Sequence, residues 1–181
     1  MDGHTLVVLR HATAAGEPGA NDAQRPLTGG GRRDAAAAGR WLLARGIRPD
    51  LVLCSSARRA RETWEQVSAA MGAAAPDADA VSFESRVYDA GAQGLLDLVN
   101  EQPNDAQTLL TVGHNPASAN LVTWLTGRSG IAFPACALAV IRLGESWAAA
   151  VPGGGELAAL WAPGSPPSAP GRPPTAPGPV P

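Results

Sequence analysis

Leu6-Val7-Val8-Leu9-Arg10-His11-Ala12-Thr13-Ala14 is the stretch on which the reading of this chain turns. Leu6 to Leu9 is a short aliphatic run bounded by polar residues, the pattern of a buried strand. It stops at a cation and an imidazole, Arg10-His11. Such groups at the end of a buried strand are costly unless something there uses them. In open α/β sheets, ligands bind outside the carboxyl ends of the strands. Arg10 and His11 are therefore candidate site residues. At this point the plainer alternative stays open: Arg10 pairs with a carboxylate and His11 is a capping or surface residue.

Working outward, Met1 to Thr5 is a lead-in whose His4 reads as solvated. Residues 12–26 read as a loop over the strand end. Thr28 is an N-cap candidate for a helix with a buried stripe of Ala35, Ala38 and Leu42 beside Trp41, ending at Gly46. Leu51 to Cys54 is a second buried strand, and Ser55-Ser56 a start for the next helix. Ala60, Trp64, Val67 and Met71 recur at helical spacing, with Arg59 and Thr63 on a neighbouring face. Arg61 and Glu65 read as a solvated pair. Val81 to Phe83 is a short strand, 84–91 a loop, and Leu95 to Val99 lie in a helix ending near Pro103. Thr108 to Val112 is a third clear strand. It ends in Gly113-His114-Asn115-Pro116, where Asn115 can cap a helix starting at Pro116 and ending at Gly127. Late strands are expected at 137–143 and 156–161, around the glycine-rich turn at 153–155. Strands alternating with helices predict a three-layer α/β fold, a mostly parallel sheet with helices on both faces.

The 181 residues suit one domain, placed at 1–162, with a disordered Pro-rich tail at 163–181. The net charge of −2 implies no nucleic-acid partner, and every cation is an arginine because lysine is absent. Two cysteines, Cys54 and Cys136, make no disulfide framework, and no signal-like start or membrane-length apolar run is seen. The expectation is a reduced, cytoplasmic protein with no membrane partner.

Three strands end in polar residues: Arg10-His11, Ser55 through Arg59, and Gly113-His114-Asn115. If they are parallel neighbours, two arginines, two histidines and two helix N-termini meet in one pocket. Such a pocket suits a phosphoryl group, because guanidiniums bind it bidentately and helix N-termini offer free N–H groups. Nearby arginines keep a histidine neutral, and a neutral histidine is a nucleophile towards phosphorus. The second histidine can donate to the phosphoryl oxygens, and the set neutralises charge without a metal.

Leu9-Arg10-His11-Ala12, Arg25-Pro26-Leu27-Thr28, Ser55-Ser56-Ala57-Arg58-Arg59-Ala60-Arg61-Glu62-Thr63 and Val112-Gly113-His114-Asn115-Pro116 together resemble the histidine phosphatase, phosphoglycerate mutase-like, superfamily, most of all its short SixA-type phosphohistidine phosphatases. The resemblance spans residues 5–161. It implies His11 as the nucleophile that becomes phosphohistidine, and Arg10, Arg59 and His114 as the rest of the phosphate pocket. Arg25 would be a further substrate-facing arginine, and Asn115 would cap the helix or line the pocket. No metal or other cofactor is implied; the partner is a phosphorylated substrate, such as a phosphohistidine protein. Ala12, Ser56 and Glu62 depart from the residues usual in the family, where glycine, proline and glutamine are common.

No motif supplies a proton donor. Glu84 and Asp89 are the nearby carboxylates, and each reads as a loop residue. A P–N bond needs less help from an acid than an alkyl ester, and a short chain leaves little to cap the pocket. Both points favour phosphohistidine; a deep, closed pocket with a carboxylate beside the phosphate would count against it. Three alternatives stay open: a small-molecule phosphomonoesterase, a mutase, and a non-catalytic phospho-ligand binder. A cysteine phosphatase is excluded, since the Cys-x5-Arg spacing from Cys54 falls on Ala60. Three scattered histidines beside arginines fit a metal hydrolase poorly.

Overall fold

The structure is a computed structural model that describes residues 3–16 and 21–165. Six strands form one sheet: β1 (Thr5–Arg10), β2 (Leu51–Ser55), β3 (Val81–Glu84), β4 (Thr108–Gly113), β5 (Leu138–Arg142) and β6 (Glu156–Trp161). Their order is β3-β2-β4-β1-β5-β6. β3, β2, β4 and β1 run parallel, and β5 is antiparallel to both β1 and β6. The helices are α1 (Gly29–Ala44), α2 (Arg58–Met71), α3 (Ser85–Asp89), α4 (Ala92–Asn100) and α5 (Ala117–Thr126).

The pleat of β1 sets the layers, because alternate side chains enter opposite faces. Val7 and Leu9 join Val52, Cys54, Leu110 and Val112 under α1 and α2. Leu6 and Val8 join Leu53, Leu109 and Ile141 under α4 and α5. This is the expected three-layer α/β architecture. Four of the five tryptophans, Trp41, Trp64, Trp147 and Trp161, are buried, and Trp124 is exposed.

Thr28 caps α1, its Oγ1 accepting from the Gly31 N–H at 2.9 Å. Two glycines of α1 are required by contact: a Cβ on Gly31 would stand 2.2 Å from the Thr13 carbonyl oxygen, and one on Gly39 2.4 Å from that of Val67. Gly31 thus lets the chain after His11 lie on α1, and Gly39 lets α1 and α2 approach closely.

Several expectations are corrected. His4 is buried: its Nδ1 lies 3.1 Å from the Gly144 carbonyl, its Nε2 3.2 Å from that of Asn104, and its ring packs on Trp147. Sequence position could not reveal that the 104 turn and the 144 loop fold over it. The expected loop at 84–91 contains α3, which is anchored by buried Val87 and too short to show a period. Ser55 and Ser56 lead into α2 without capping it: Ala57 is the N-cap, with no side-chain cap, and Ser55 Oγ accepts from the Ala57 N–H at 3.3 Å and lies 2.7 Å from His114 Nε2. Pro116 precedes α5 rather than opening it, and the Asn115–Pro116 peptide is cis. Arg61, exposed as Glu65 is, lies over the Phe83 ring, 4.5 Å from its centroid. Of the expected tail, residues 166–181 lie outside the described residues.

Candidate functional site

The carboxyl ends of β2, β4 and β1 lie side by side, Arg10 pairing with Gly113 in register. His11 follows β1 directly, and its backbone is held on both sides. Its N–H donates to the Gly113 carbonyl at 2.9 Å, and its carbonyl accepts from the Cys136 N–H at 3.0 Å. The ring is oriented by the next residue, with Nδ1 2.8 Å from the Ala12 carbonyl. A carbonyl only accepts, so Nδ1 carries the proton and Nε2 keeps its lone pair.

Arg59, in the first turn of α2, faces that lone pair. Its guanidinium is almost fully buried and every nitrogen has a partner. Nε donates to His11 Nε2 at 3.3 Å, and NH1 to the Asp22 carbonyl at 2.7 Å. NH2 lies 3.0 Å from Asp22 Oδ2 and 3.3 Å from His114 Nδ1. Thr63, one turn along α2, ties this arginine to the nucleophile strand: its hydroxyl accepts from the Ala12 N–H at 3.0 Å and donates to the Arg59 carbonyl at 2.6 Å. His114 follows β4. Its Nε2 lies 2.7 Å from Ser55 Oγ at the end of β2, and its ring centroid is 5.0 Å from that of His11.

Arg10 reaches the 133 loop, NH1 donating to the Phe133 carbonyl at 3.0 Å; its Nε is buried without a hydrogen-bond partner among the described residues. Asn115 bonds to the first turn of α5 and to the 133 loop. Its Oδ1 accepts from the Ala119 N–H in the first turn of α5 at 3.3 Å, and its Nδ2 donates to the same Phe133 carbonyl at 2.9 Å. Arg25 stands at the rim, its Nε on the Ala15 carbonyl at 2.8 Å and its NH1 on Asp22 Oδ1 at 3.0 Å.

The electrostatics follow from this crowding of cations. Burial, with the charges of Arg59, Arg10 and Arg25, lowers the His11 pKa to about 4, against the pull of the Ala12 carbonyl. Burial, with His11 and Arg59, lowers that of His114 to about 3. Both rings are neutral near pH 7. Burial pushes the Cys136 thiol up to about 12 and raises that of Cys54, so neither is a thiolate nucleophile. Among the described residues, no group of three or more His, Cys, Asp or Glu is placed to hold a metal ion.

A neutral, oriented imidazole beside two guanidiniums and a second imidazole, at the ends of parallel strands, can bind a phosphoryl group and attack it in line. The sequence comparisons agree. The model of the histidine phosphatase superfamily (branch 1) matches residues 6–81. The uncharacterized protein Rv1276c of Mycobacterium tuberculosis is 35% identical over 155 residues, covering 80% of this chain and 93% of its own.

The chain belongs to the histidine phosphatase superfamily. Within it the chain is of the SixA type. It matches the structure of a proposed phosphohistidine phosphatase SixA from Nakamurella multipartitia with a TM-score of 0.78 at 30% identity, over 91% of this chain and 99% of that one. It also matches the protein histidine phosphatase SixA complexed with tungstate, with a TM-score of 0.71 at 25% identity, over 88% and 97% of the two chains.

Against the superfamily motifs, the structure adds residues that sequence reasoning missed. Asp22 accepts from Tyr88 Oη at 2.9 Å as well as pairing with both Arg25 and Arg59. Tyr88 meets the His114 ring edge-on, centroids 5.4 Å apart. Ser55 and Thr63 hold His114 and Arg59. The spacing of Asp22 three residues before Arg25 was the one readable signal; nothing local marks Tyr88. Glu84 and Asp89 have no such place: Glu84 accepts from Ser82 Oγ, and Asp89 lines a separate surface cavity with Arg86, Asp97 and Glu101.

Proposed function

We propose that this phosphatase transfers a phosphoryl group to His11 Nε2 and releases it to water without a metal, and that its substrate is phosphohistidine in a protein. In this account Arg10, Arg59 and His114 hold the phosphoryl oxygens, Arg25 stands at the substrate's entry, and Asn115 fixes the loop that positions Arg10. The reading rests chiefly on one arrangement. Arg59 lies between the two histidines while the Ala12 carbonyl fixes the His11 proton on Nδ1, so the unprotonated Nε2, which accepts from Arg59 Nε, and the guanidinium meet at one point. A phosphoryl group at that point meets the nucleophile and the charge that stabilises its oxygens together.

The substrate preference has its own support. A carboxylate, Asp22, does stand at the site, and it lies at the surface, its side chain 53% exposed. An exposed carboxylate leaves room for a side chain carried on a protein to approach, whereas a carboxylate beside the phosphate in a deep, closed pocket would speak for a small ester. Residues 1–162 would then be the catalytic domain and 163–181 a tail outside it, in a cytoplasmic protein; among the described residues, no helix is long and apolar enough to cross a membrane.

The test is phosphate release, in chelator, from a phosphohistidine protein and from a small phosphate monoester, with His11→Ala as control. Higher efficiency on the phosphohistidine protein, lost in the variant, is the expected result. A preference for the monoester would keep the mechanism and move the substrate to small metabolites. Inactivity on both would favour a phospho-ligand binder.

A further inference from the structure

Asp22 is a poor candidate for a general acid and a good one for something else. Its carboxylate is held by three donors: Arg59 and Tyr88 at Oδ2 and Arg25 at Oδ1. Together these lower its pKa to about 2, Tyr88 and Arg25 contributing most. A carboxylate so held does not give up a proton near neutral pH. Its position is nonetheless that of a group facing the leaving side. His11 lies on the Nε side of the Arg59 guanidinium, whereas Asp22 lies on its NH1 and NH2 edge, in the exposed mouth. A phosphoryl group attacked by His11 Nε2 expels its leaving group away from His11, towards that mouth.

We infer that Asp22 selects a phosphorylated imidazole over a phosphate ester by accepting a hydrogen bond from the ring nitrogen that does not carry the phosphoryl group. This rests on the phosphatase reading above. The incoming phosphoryl oxygens take over the Arg59 N–H groups, which frees one lone pair of Oδ2; Arg25 and Tyr88 keep the carboxylate in place. The freed oxygen holds the substrate ring in its protonated form, since a hydrogen bond and an adjacent negative charge both favour the cation. The transfer then balances with no proton moved. The His11 Nε2 lone pair forms the new N–P bond, the substrate P–N bond breaks, and its electron pair returns to the substrate ring. That ring leaves as neutral imidazole, its N–H still on Asp22. His11 becomes a phosphorylated ring with its own N–H on the Ala12 carbonyl, so the two imidazoles exchange equivalent states. An ester offers an oxygen with no N–H to donate, so it gains nothing from the carboxylate and meets its negative charge. The Tyr88 ring, already edge-on to His114, walls the same mouth.

Asp22→Asn is the decisive variant, assayed with a phosphohistidine peptide and with p-nitrophenyl phosphate, whose phenolate leaves without a proton. The expected result is a fall of roughly 100-fold in kcat/KM on the phosphohistidine peptide and a fall of only a few fold on p-nitrophenyl phosphate, so that the ratio between the two substrates changes. A loss that falls mainly on the peptide separates recognition of the substrate ring from support of Arg59. In the wild type, activity on the peptide should persist well above the ordinary imidazole range near pH 6.5, and in the variant it should fall through that range. An equal loss on both substrates would make Asp22 a mere support for Arg59 and overturn the inference, as would no loss on either. A wild type inert on both would defeat the phosphatase reading itself, and the inference with it.

Discussion

Arg10 and Asn115 donate to one acceptor, the Phe133 carbonyl, at 3.0 and 2.9 Å. The two residues come from different strand ends, β1 and β4, and the shared oxygen fixes the 133 loop across both. Asn115 therefore positions Arg10 without needing to touch the phosphoryl group. Asn115→Ala should raise KM by about 10-fold, near 1.4 kcal/mol, with a smaller change in kcat. Steady-state kinetics beside an unchanged circular dichroism spectrum checks this; a loss confined to kcat would place Asn115 at the reacting atoms instead.

Arg59 uses both edges of its guanidinium, towards His11 on one side and towards Asp22 and His114 on the other. Lysine carries the charge but not the fork. Arg59→Ala should cost roughly 1000-fold in kcat, and Arg59→Lys should recover little of it. Recovery by lysine to within a few fold would show that charge alone matters here.

The lowered histidine pKa values set the pH response. His11 is neutral above about pH 4, so kcat/KM should show its acid limb there rather than at 6.5. The same shift has a sign in stability. Between about 4 and 6.5 the unfolded histidine binds a proton that the folded one does not, so stability falls as pH is lowered across that window and levels below it. A pH–rate profile and urea midpoints at matched pH values check both; an acid limb near 6.5 would contradict the electrostatic account.

Glu62 fastens the 25–28 segment to α2. It accepts from the Leu27 N–H at 2.9 Å and pairs with Arg58 at 2.7 Å and Arg32 at 3.0 Å. Burial raises its pKa, but these donors outweigh burial and lower it overall from the ordinary 4.5. Its contribution is present above that pH and is lost as pH falls below it. The two arginines are well exposed, so the pairs themselves add little. Glu62→Ala should cost about 1–3 kcal/mol, mainly from the stranded Leu27 N–H. Glu62→Gln, which keeps an acceptor and matches the residue common in the family, should cost less. Denaturant midpoints decide; equal costs would place the energy in the charge.

Much of this was legible because it is local. The apolar run at Leu6 to Leu9, the Thr28 cap and the stripe through Ala60, Trp64, Val67 and Met71 are set by neighbours in sequence. His11, Arg10, Arg59 and His114 were readable because each ends a strand or opens the helix after one, and parallel strands carry such residues to one edge. Asp22 and Tyr88 were not, since their partners lie across the fold: Tyr88 meets Asp22 from 66 residues away. Ser55 and Thr63 stand in the 55–63 motif, but the bonds that give them their roles, to His114 and to the Ala12 N–H, also cross the fold. His4 was misread for the same reason, its cover coming from the 104 and 144 segments. Glu84 and Asp89 are the nearby candidates in the sequence, while Asp22, which reaches the site, sits on the earlier loop.

The most direct test of the central claim is to trap the phosphoenzyme. The wild type and His11→Ala are mixed with substrate, quenched in alkali, where phosphohistidine persists, and analysed by intact mass and peptide mapping. One phosphoryl group on the peptide containing His11, lost on acidification and absent from the variant, is the predicted result. A phosphoryl group on another residue, or substrate turnover by His11→Ala at the wild-type rate, would contradict the account.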